Sequence, residues 1–203
     1  MNSKIGKNVR IGTNVTIGNF SEIIGKVIIE DNVRISSFVS IGSPPEHRKF
    51  NMDVTLKSIV IKKNTIIREH VTINNGISVD TQIGENCYIM NKSHIGHDAI
   101  IGNNVTISPS VNVGGHSVIG EHANLGMGSV LHQYCDVEAA TMIGANAFIK
   151  GKCEKGLIYA GVPARPIGIN HQGLEKSGLG KEEIRKIVSF YEKKFNFYFF
   201  IFM

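Results

Sequence analysis

The sequence predicts an all-β parallel β-helix with a short α-helical appendage at its C-terminal end, on three observations. An aliphatic residue recurs every sixth position: Ile5, Ile11, Ile17, Ile23, Ile29, Ile35 and Ile41, then Ile61, Ile67 and Ile73, then without a break from Ile83 to Ile149. A small or β-branched residue stands two positions before many of these beats (Val9, Val33, Ala99, Ser117, Cys135, Thr141), and glycine often follows directly (Gly6, Gly12, Gly96, Gly120). Finally, a period of six fits neither a helix nor an ordinary two-layer sheet. It suits a solenoid in which each hexad is one short strand and three hexads close a triangular coil.

Twenty-two beats at three per coil make a body of about seven coils over residues 1–155. The aliphatic side chain points into the prism, the small residue packs beside it at the corner, and glycine supplies turn conformations that a Cβ would penalise. Two gaps interrupt the beat: 20 residues separate Ile41 from Ile61, and 10 separate Ile73 from Ile83. The first holds Ser43-Pro44-Pro45-Glu46-His47-Arg48-Lys49-Phe50, whose prolines and clustered charge exclude coil strand. Residues 43–58 therefore form a projecting loop, either a solvated one or one that carries function. Beyond Ile149 the beat ends, and Cys153 is expected past the last coil. Residues 156–203 form a turn-rich strap, Gly161 to Pro166, then a helix from about Lys181 with Ile184, Ile187, Val188 and Tyr191 as its apolar stripe. No function attaches to the aromatic ending FNFYFFIFM.

Composition narrows the function. A net charge of +5 and a pI near 9.1 favour anionic partners. The basic residues are scattered and lack interleaved aromatics, which argues against nucleic acid and for a phosphorylated small molecule or an acidic carrier protein. No apolar run is long enough to span a bilayer. The repeat begins by Ile5, leaving no room for a signal peptide, so a cytoplasmic protein is expected. Cys87 and Cys135 fall on the small corner position and read as packing; neither a disulfide framework nor a CxxC zinc site is indicated.

Five of the eight histidines lie between His94 and His132, where a packed prism needs none. Residues 18 apart stack at about 4.8 Å. That register places His94 under Asn112, His97 under Gly115 and beside His116, His132 over Gly114, and Gln133 two coils above His97. These groups share one edge of the prism, with Gly114 and Gly115 leaving space between them. Three readings fit: polar corner residues, solvated or hydrogen-bonded between subunits; imidazole ligands of a zinc ion; and acid–base catalysis, for which a side chain titrating near pH 6.5 is suited. Catalysis is favoured. Asp98 orients His97 only from a turn, because neighbours in an extended segment point opposite ways.

From Ile66 onward the motifs become specific. Ile67-Arg68-Glu69-His70-Val71-Thr72-Ile73, Asn91-Lys92-Ser93-His94-Ile95-Gly96-His97-Asp98, Gly114-Gly115-His116, Val130-Leu131-His132-Gln133-Tyr134-Cys135 and Asn170-His171-Gln172-Gly173-Leu174 resemble the UDP-N-acetylglucosamine O-acyltransferases of lipid A synthesis. The resemblance implies a left-handed helix and a homotrimer with its active sites between subunits. It makes His97 the general base, supported by Asp98, and puts Gly115 and Gln133 near the thioester, where an amide donor can stabilise an oxyanion. It gives the acceptor sugar nucleotide to His47, Lys49, Asn74, His94, His116, His132, Asn170 and Lys176. No metal and no permanently bound cofactor are implied; acyl-CoA or acyl carrier protein is a co-substrate.

Three departures blur the substrate. His47 precedes Lys49 where the family carries an acidic residue, and its basic pair is reduced to Lys176-Ser177. The strap Gly161-Val162-Pro163-Ala164-Arg165-Pro166 resembles that of acetyl-CoA-dependent sugar acetyltransferases, which assigns Gly161 and Arg165 to the donor; Ala145 joins them from the coil edge beyond Gln133, along which the acyl chain is expected to run. The expectation is therefore transfer of a short acyl group, acetyl above all, to an amine or hydroxyl of a nucleotide-linked sugar for surface glycan or lipopolysaccharide synthesis. The alternative is the carrier-protein-dependent 3-O-acylation of UDP-N-acetylglucosamine itself. More distant are a non-catalytic β-helix that binds sugar nucleotides and a zinc enzyme like the γ-class carbonic anhydrases.

Overall fold

The computed structural model describes residues 2–48 and 55–195. Lys49 and the aromatic ending from Asn196 lie outside them. Short parallel strands stack into three sheets, the faces of a triangular prism; two sheets have eight strands and the third has nine, the ninth being the antiparallel Ala164–Ile169. Each strand pairs with the strand one coil away, as in the column Thr72, His94, Asn112, Val130 and Phe148. The beat residues fill the interior and are fully buried at Ile23, Ile41, Ile61, Ile73, Ile95 and Ile107, whereas Ile5 and Ile11 are 38% and 45% exposed at the open first coil.

The prism has eight coils rather than seven, because it does not stop at Ile149. A four-residue step, absorbed by Gly151 at φ +94°, carries the beat to Cys153, and Tyr159 follows six residues later. Cys153 pairs with Val137 and is buried in the core, and the last coil strand runs Leu157–Gly161, past residue 155. All three cysteines are buried, and burial pushes the thiols of Cys87 and Cys153 up to about 11 and about 12. They pack as small apolar groups.

Glycine's role also differs from expectation. The left-handed position in each turn is three residues after the beat and is mostly not glycine: Asn14, Asn32, Asn64, Asn86, Asp98, His116 and Tyr134 all sit near φ +60° there. The glycine directly after the beat gives clearance to the next coil instead; a Cβ on Gly12 would stand 2.5 Å from Asp31 Oδ1, and one on Gly120 2.4 Å from Ala139 N.

After the strap come helix α1 (His171–Lys176) and helix α2 (Lys181–Phe195). The apolar stripe of α2 turns inward as expected: Tyr191 is buried, and Ile187 and Phe195 pack against the core. Lys194 Nζ pairs with Glu154 Oε1 at 2.5 Å, tying the helix to the last coil. Among the described residues no helix is long and apolar enough to cross a membrane.

Candidate active site

The histidine ladder forms at the corner that follows the strand His94–Ile95. His97 and Asp98 are consecutive, and an extended chain would point them apart. Asp98 occupies the left-handed turn position (φ 60°), which swings its carboxylate back under the ring. His97 Nδ1 then lies 2.6 Å from Asp98 Oδ2, with the Asp98 side chain fully buried. Oδ1 accepts from the backbone N–H groups of Ser78 and Val79, both at 2.7 Å, and the Ile77 N–H is shared between Oδ1 and Oδ2 at 3.1 Å. Burial works to raise this carboxyl, but the N–H of Val79, the His97 ring and the N–H groups of Ile77 and Ser78 outweigh it and hold it below the usual aspartate range.

One coil up, Gly115 covers His97. A Cβ there would stand 2.9 Å from His97 Nε2, so only glycine leaves this nitrogen open. His116 packs edge-on to His97 with ring centroids 4.9 Å apart and lies flat on Tyr134 at 4.5 Å. His94, one residue outside the corner, bonds through Nδ1 to Thr72 Oγ1 at 2.8 Å. Burial, with a smaller contribution from His97, lowers its pKa and favours the neutral ring, against the opposing pull of the Glu46 carboxylate.

These groups line a pocket of about 300 Å³ bounded by Glu46, Asn74, His94, Gly96, His97, Gly114, Gly115, His132 and Gln133. The projecting loop closes one side: the His47 ring is 6.1 Å from that of His97, and Asn74 Nδ2 donates to the carbonyl of Pro44, at the loop's base. Seven of the expected site residues (His97, Gly115, Gln133, Asn74, His94, His132 and, at the rim, His47) therefore converge, with Asp98 and His116 directly behind His97.

Others stand apart within this chain. Asn170 caps α1: its Oδ1 accepts from Gly173 N at 3.1 Å and its Nδ2 donates to Ala140 O at 2.8 Å, so both ends of the amide are engaged. Lys176 is in the last turn of α1, and Ala145, Gly161 and Arg165 lie on the exposed surface of the last coils and strap; none borders the pocket. Two groups went unnoticed in the sequence. Glu46 faces His94 from the loop, and the Ile77–Val79 backbone comes from the second break in the beat, the one signal that pointed to it.

His97, Asp98 and His116 place three donor atoms within 4.8 Å of one another, close enough to suggest a metal. Donors around a tetrahedral zinc stand about 3.3 Å apart. The 2.6 Å between His97 Nδ1 and Asp98 Oδ2 is a hydrogen bond instead, and Asp98 Oδ1 is already saturated. The arrangement fits a carboxylate-oriented imidazole, with Nε2 facing the pocket, better than a ligand set.

Residues 8–43 and 80–115 match the bacterial transferase hexapeptide (six repeats) family model. Among solved structures, a UDP-N-acetylglucosamine acyltransferase from Francisella novicida is 34% identical, with a TM-score of 0.88 over 94% of this chain and 70% of that one. The enzyme of that name from Campylobacter jejuni is 26% identical, with a TM-score of 0.86 over 96% and 81%. One from Bacteroides fragilis is 28% identical, with a TM-score of 0.82 over 96% and 83%. No curated protein matches the sequence significantly.

Proposed function

The chain belongs to the UDP-N-acetylglucosamine acyltransferase family of hexapeptide-repeat enzymes, and from that premise we propose that its acyl transfer runs from a thioester to a hydroxyl or amine of a nucleotide-linked N-acetylglucosamine-type sugar, with His97 as general base. The observation that carries this is the buried His97–Asp98 pair, whose outer nitrogen opens under Gly115 into a polar pocket. The acceptor's O–H or N–H bonds to Nε2 and loses its proton there as its lone pair attacks the thioester carbonyl carbon. The tetrahedral oxyanion needs a donor. Gly115 N–H, which donates to no other described residue, and the Gln133 amide both border the pocket. Collapse expels the thiolate, which takes the proton back from the imidazolium. His94, held neutral and anchored by Thr72, and His132 contact the acceptor, with His47 at the loop rim. In a homotrimer a neighbouring subunit completes the cleft and brings exposed groups such as Lys176 toward the nucleotide, with Asn170 fixing the helix that carries it.

The 34% identity to the F. novicida enzyme supports UDP-N-acetylglucosamine as acceptor. A second reading, a nucleotide-linked amino sugar, is favoured by Glu46, whose carboxylate borders the pocket where a cationic amine would enter. For the donor, we infer a short acyl-CoA over a long carrier-protein thioester, because Phe148 stands beside His132 on the outgoing face. The experiment is a panel of UDP-N-acetylglucosamine and amino-sugar nucleotides incubated with acetyl-CoA and with acyl carrier protein thioesters of graded length, read by mass spectrometry. It is repeated with His97→Ala, expected to lower kcat by ~10²–10⁴. More than half of wild-type activity in that variant removes His97 as the base.

A further inference from the structure

The lengthened step between Ile73 and Ile83 has no role in the reaction as written so far. Its backbone folds back so that three successive N–H groups converge on the Asp98 carboxylate: Ser78 and Val79 donate to Oδ1 at 2.7 Å each, and Ile77 is shared between Oδ1 and Oδ2 at 3.1 Å. Consecutive N–H groups in a concave turn form an anion-binding nest, and here the anion is a side chain of the same protein. The nest closes because residue 76 has no side chain: a Cβ on Gly76 would stand 1.7 Å from the carbonyl oxygen of Val79. The loop is pinned to the coil below, since Lys57 N donates to Gly76 O at 2.9 Å and Asn75 Nδ2 to Lys57 O at 3.0 Å. Asp98 is pinned as well, its own N–H donating to Thr81 Oγ1 at 3.0 Å. Ser78 and Val79 therefore hold Oδ1, Ile77 N–H straddles both oxygens at 3.1 Å, and Oδ2 keeps its shortest contact for His97 Nδ1.

We propose that Gly76–Val79 is a positioning element for the catalytic pair: by saturating Asp98 Oδ1 it aims Oδ2 at Nδ1, and so keeps the neutral imidazole protonated on Nδ1 with its lone pair on Nε2, toward the pocket. A ring protonated on Nε2 has no lone pair there to take the acceptor's proton. A carboxylate free to rotate would not fix which nitrogen carries the hydrogen, the service that an aspartate performs for catalytic histidines generally. The inference rests on His97 being the base, and it goes further by tracing the base's orientation to a backbone loop that does not border the pocket.

The test is Gly76→Ala in the full chain, assayed with UDP-N-acetylglucosamine and the thioester the wild type uses best. We expect kcat to fall ~10–100-fold, the size typical of losing an orienting partner behind a histidine, with the acceptor KM within about twofold. Nitrogen-15 spectra of the neutral His97 ring should read Nδ1–H in the wild type and a tautomer mixture in the variant, a change that loosened packing elsewhere would not cause. Wild-type kcat with an unchanged tautomer overturns the proposal. Should Gly76→Ala fail to fold, Asp98→Asn leaves the loop sequence intact. The Ser78 and Val79 amides should then lose their downfield shifts and exchange about tenfold faster or more; amides that stay put overturn the proposal equally. An active His97→Ala variant would remove the base assignment by itself, while the tautomer and amide measurements would still report on the loop.

Discussion

His97 Nδ1 and Asp98 Oδ2 lie 2.6 Å apart although the two residues are neighbours in the chain. The left-handed turn makes this possible, since Asp98 sits in the slot that asparagine fills at another corner of the prism. Aspartate tolerates that conformation better than most side chains, so a turn the repeat requires at every corner serves here to build a carboxylate–imidazole pair without a second segment of chain.

Asp98→Asn preserves shape and removes charge. We expect kcat to drop by ~10²–10⁴, approaching the penalty seen when an orienting aspartate is lost from a catalytic triad. The acceptor KM should move little, because Asp98 does not border the pocket. Steady-state kinetics with both substrates varied checks this, and a selective rise in KM would reassign Asp98 to binding.

The lowered Asp98 carboxyl also links folding to pH. Its folded-state pKa is below the ordinary value of 3.8, so its stabilising contribution is complete above that pH and is lost as pH falls through the folded value. Denaturant titrations at pH 6 and at steps below about 4 should therefore show Asp98→Asn losing less stability on acidification than the wild type. Parallel slopes would mean that the nest does not stabilise the anion.

The repeat made the prism legible because one residue type at one spacing decides each strand; the core from Ile23 to Ile149 follows from counting. The eighth coil escaped because Cys153 breaks the spacing and a single glycine, Gly151, absorbs the difference. The histidine edge was legible for the same reason as the fold, since 18-residue stacking places His94, His97, Gly115 and Gln133 without any side-chain information. What the period does not reach is how loops fold back onto it. Glu46 and the Ile77–Val79 amides both come from breaks in the beat, and backbone donors leave no trace in residue identity. Asn170, matched by its motif, caps a helix here, a role that a short polar residue before a helix fills on general grounds.

Gly115→Ala tests the clearance above the base. The new methyl would stand 2.9 Å from His97 Nε2 and 3.0 Å from Cε1. It should block the nitrogen and cut kcat/KM by ~10²-fold or more; the methyl would also stand 3.1 Å from the His97 carbonyl oxygen, so a thermal melt of the variant separates lost turnover from lost folding. Normal turnover would place the proton transfer elsewhere.

Metal offers an independent check. If the 2.6 Å contact is the hydrogen bond described above, the purified enzyme should carry less than one zinc per three chains, and a chelator should leave turnover unchanged. Stoichiometric zinc lost together with activity would replace the general-base mechanism with a metal-activated one.

Acyl length turns on the face above His132. Ala147 is buried in the core and Met142 projects from a different sheet, so neither limits a chain that leaves the pocket along the His94 face. Phe148 does stand on that face, in the column Asn112, Val130, Phe148, with its ring edge-on to His132 at 6.5 Å between centroids. On the proposed donor path, an acyl chain passing Gln133 would run toward this ring. Each further methylene that found apolar cover would contribute ~0.8 kcal/mol, roughly a factor of four in kcat/KM, so an open groove would favour a twelve-carbon donor over acetyl by several orders of magnitude. With Phe148 in place we expect acetyl-CoA or another short donor to be preferred. Phe148→Ala should raise kcat/KM for six- to twelve-carbon donors at least tenfold, on the order of two to three newly covered methylenes, and leave acetyl transfer nearly unchanged. A wild-type enzyme that already prefers a twelve-carbon carrier-protein thioester would show that the chain takes another route past this ring.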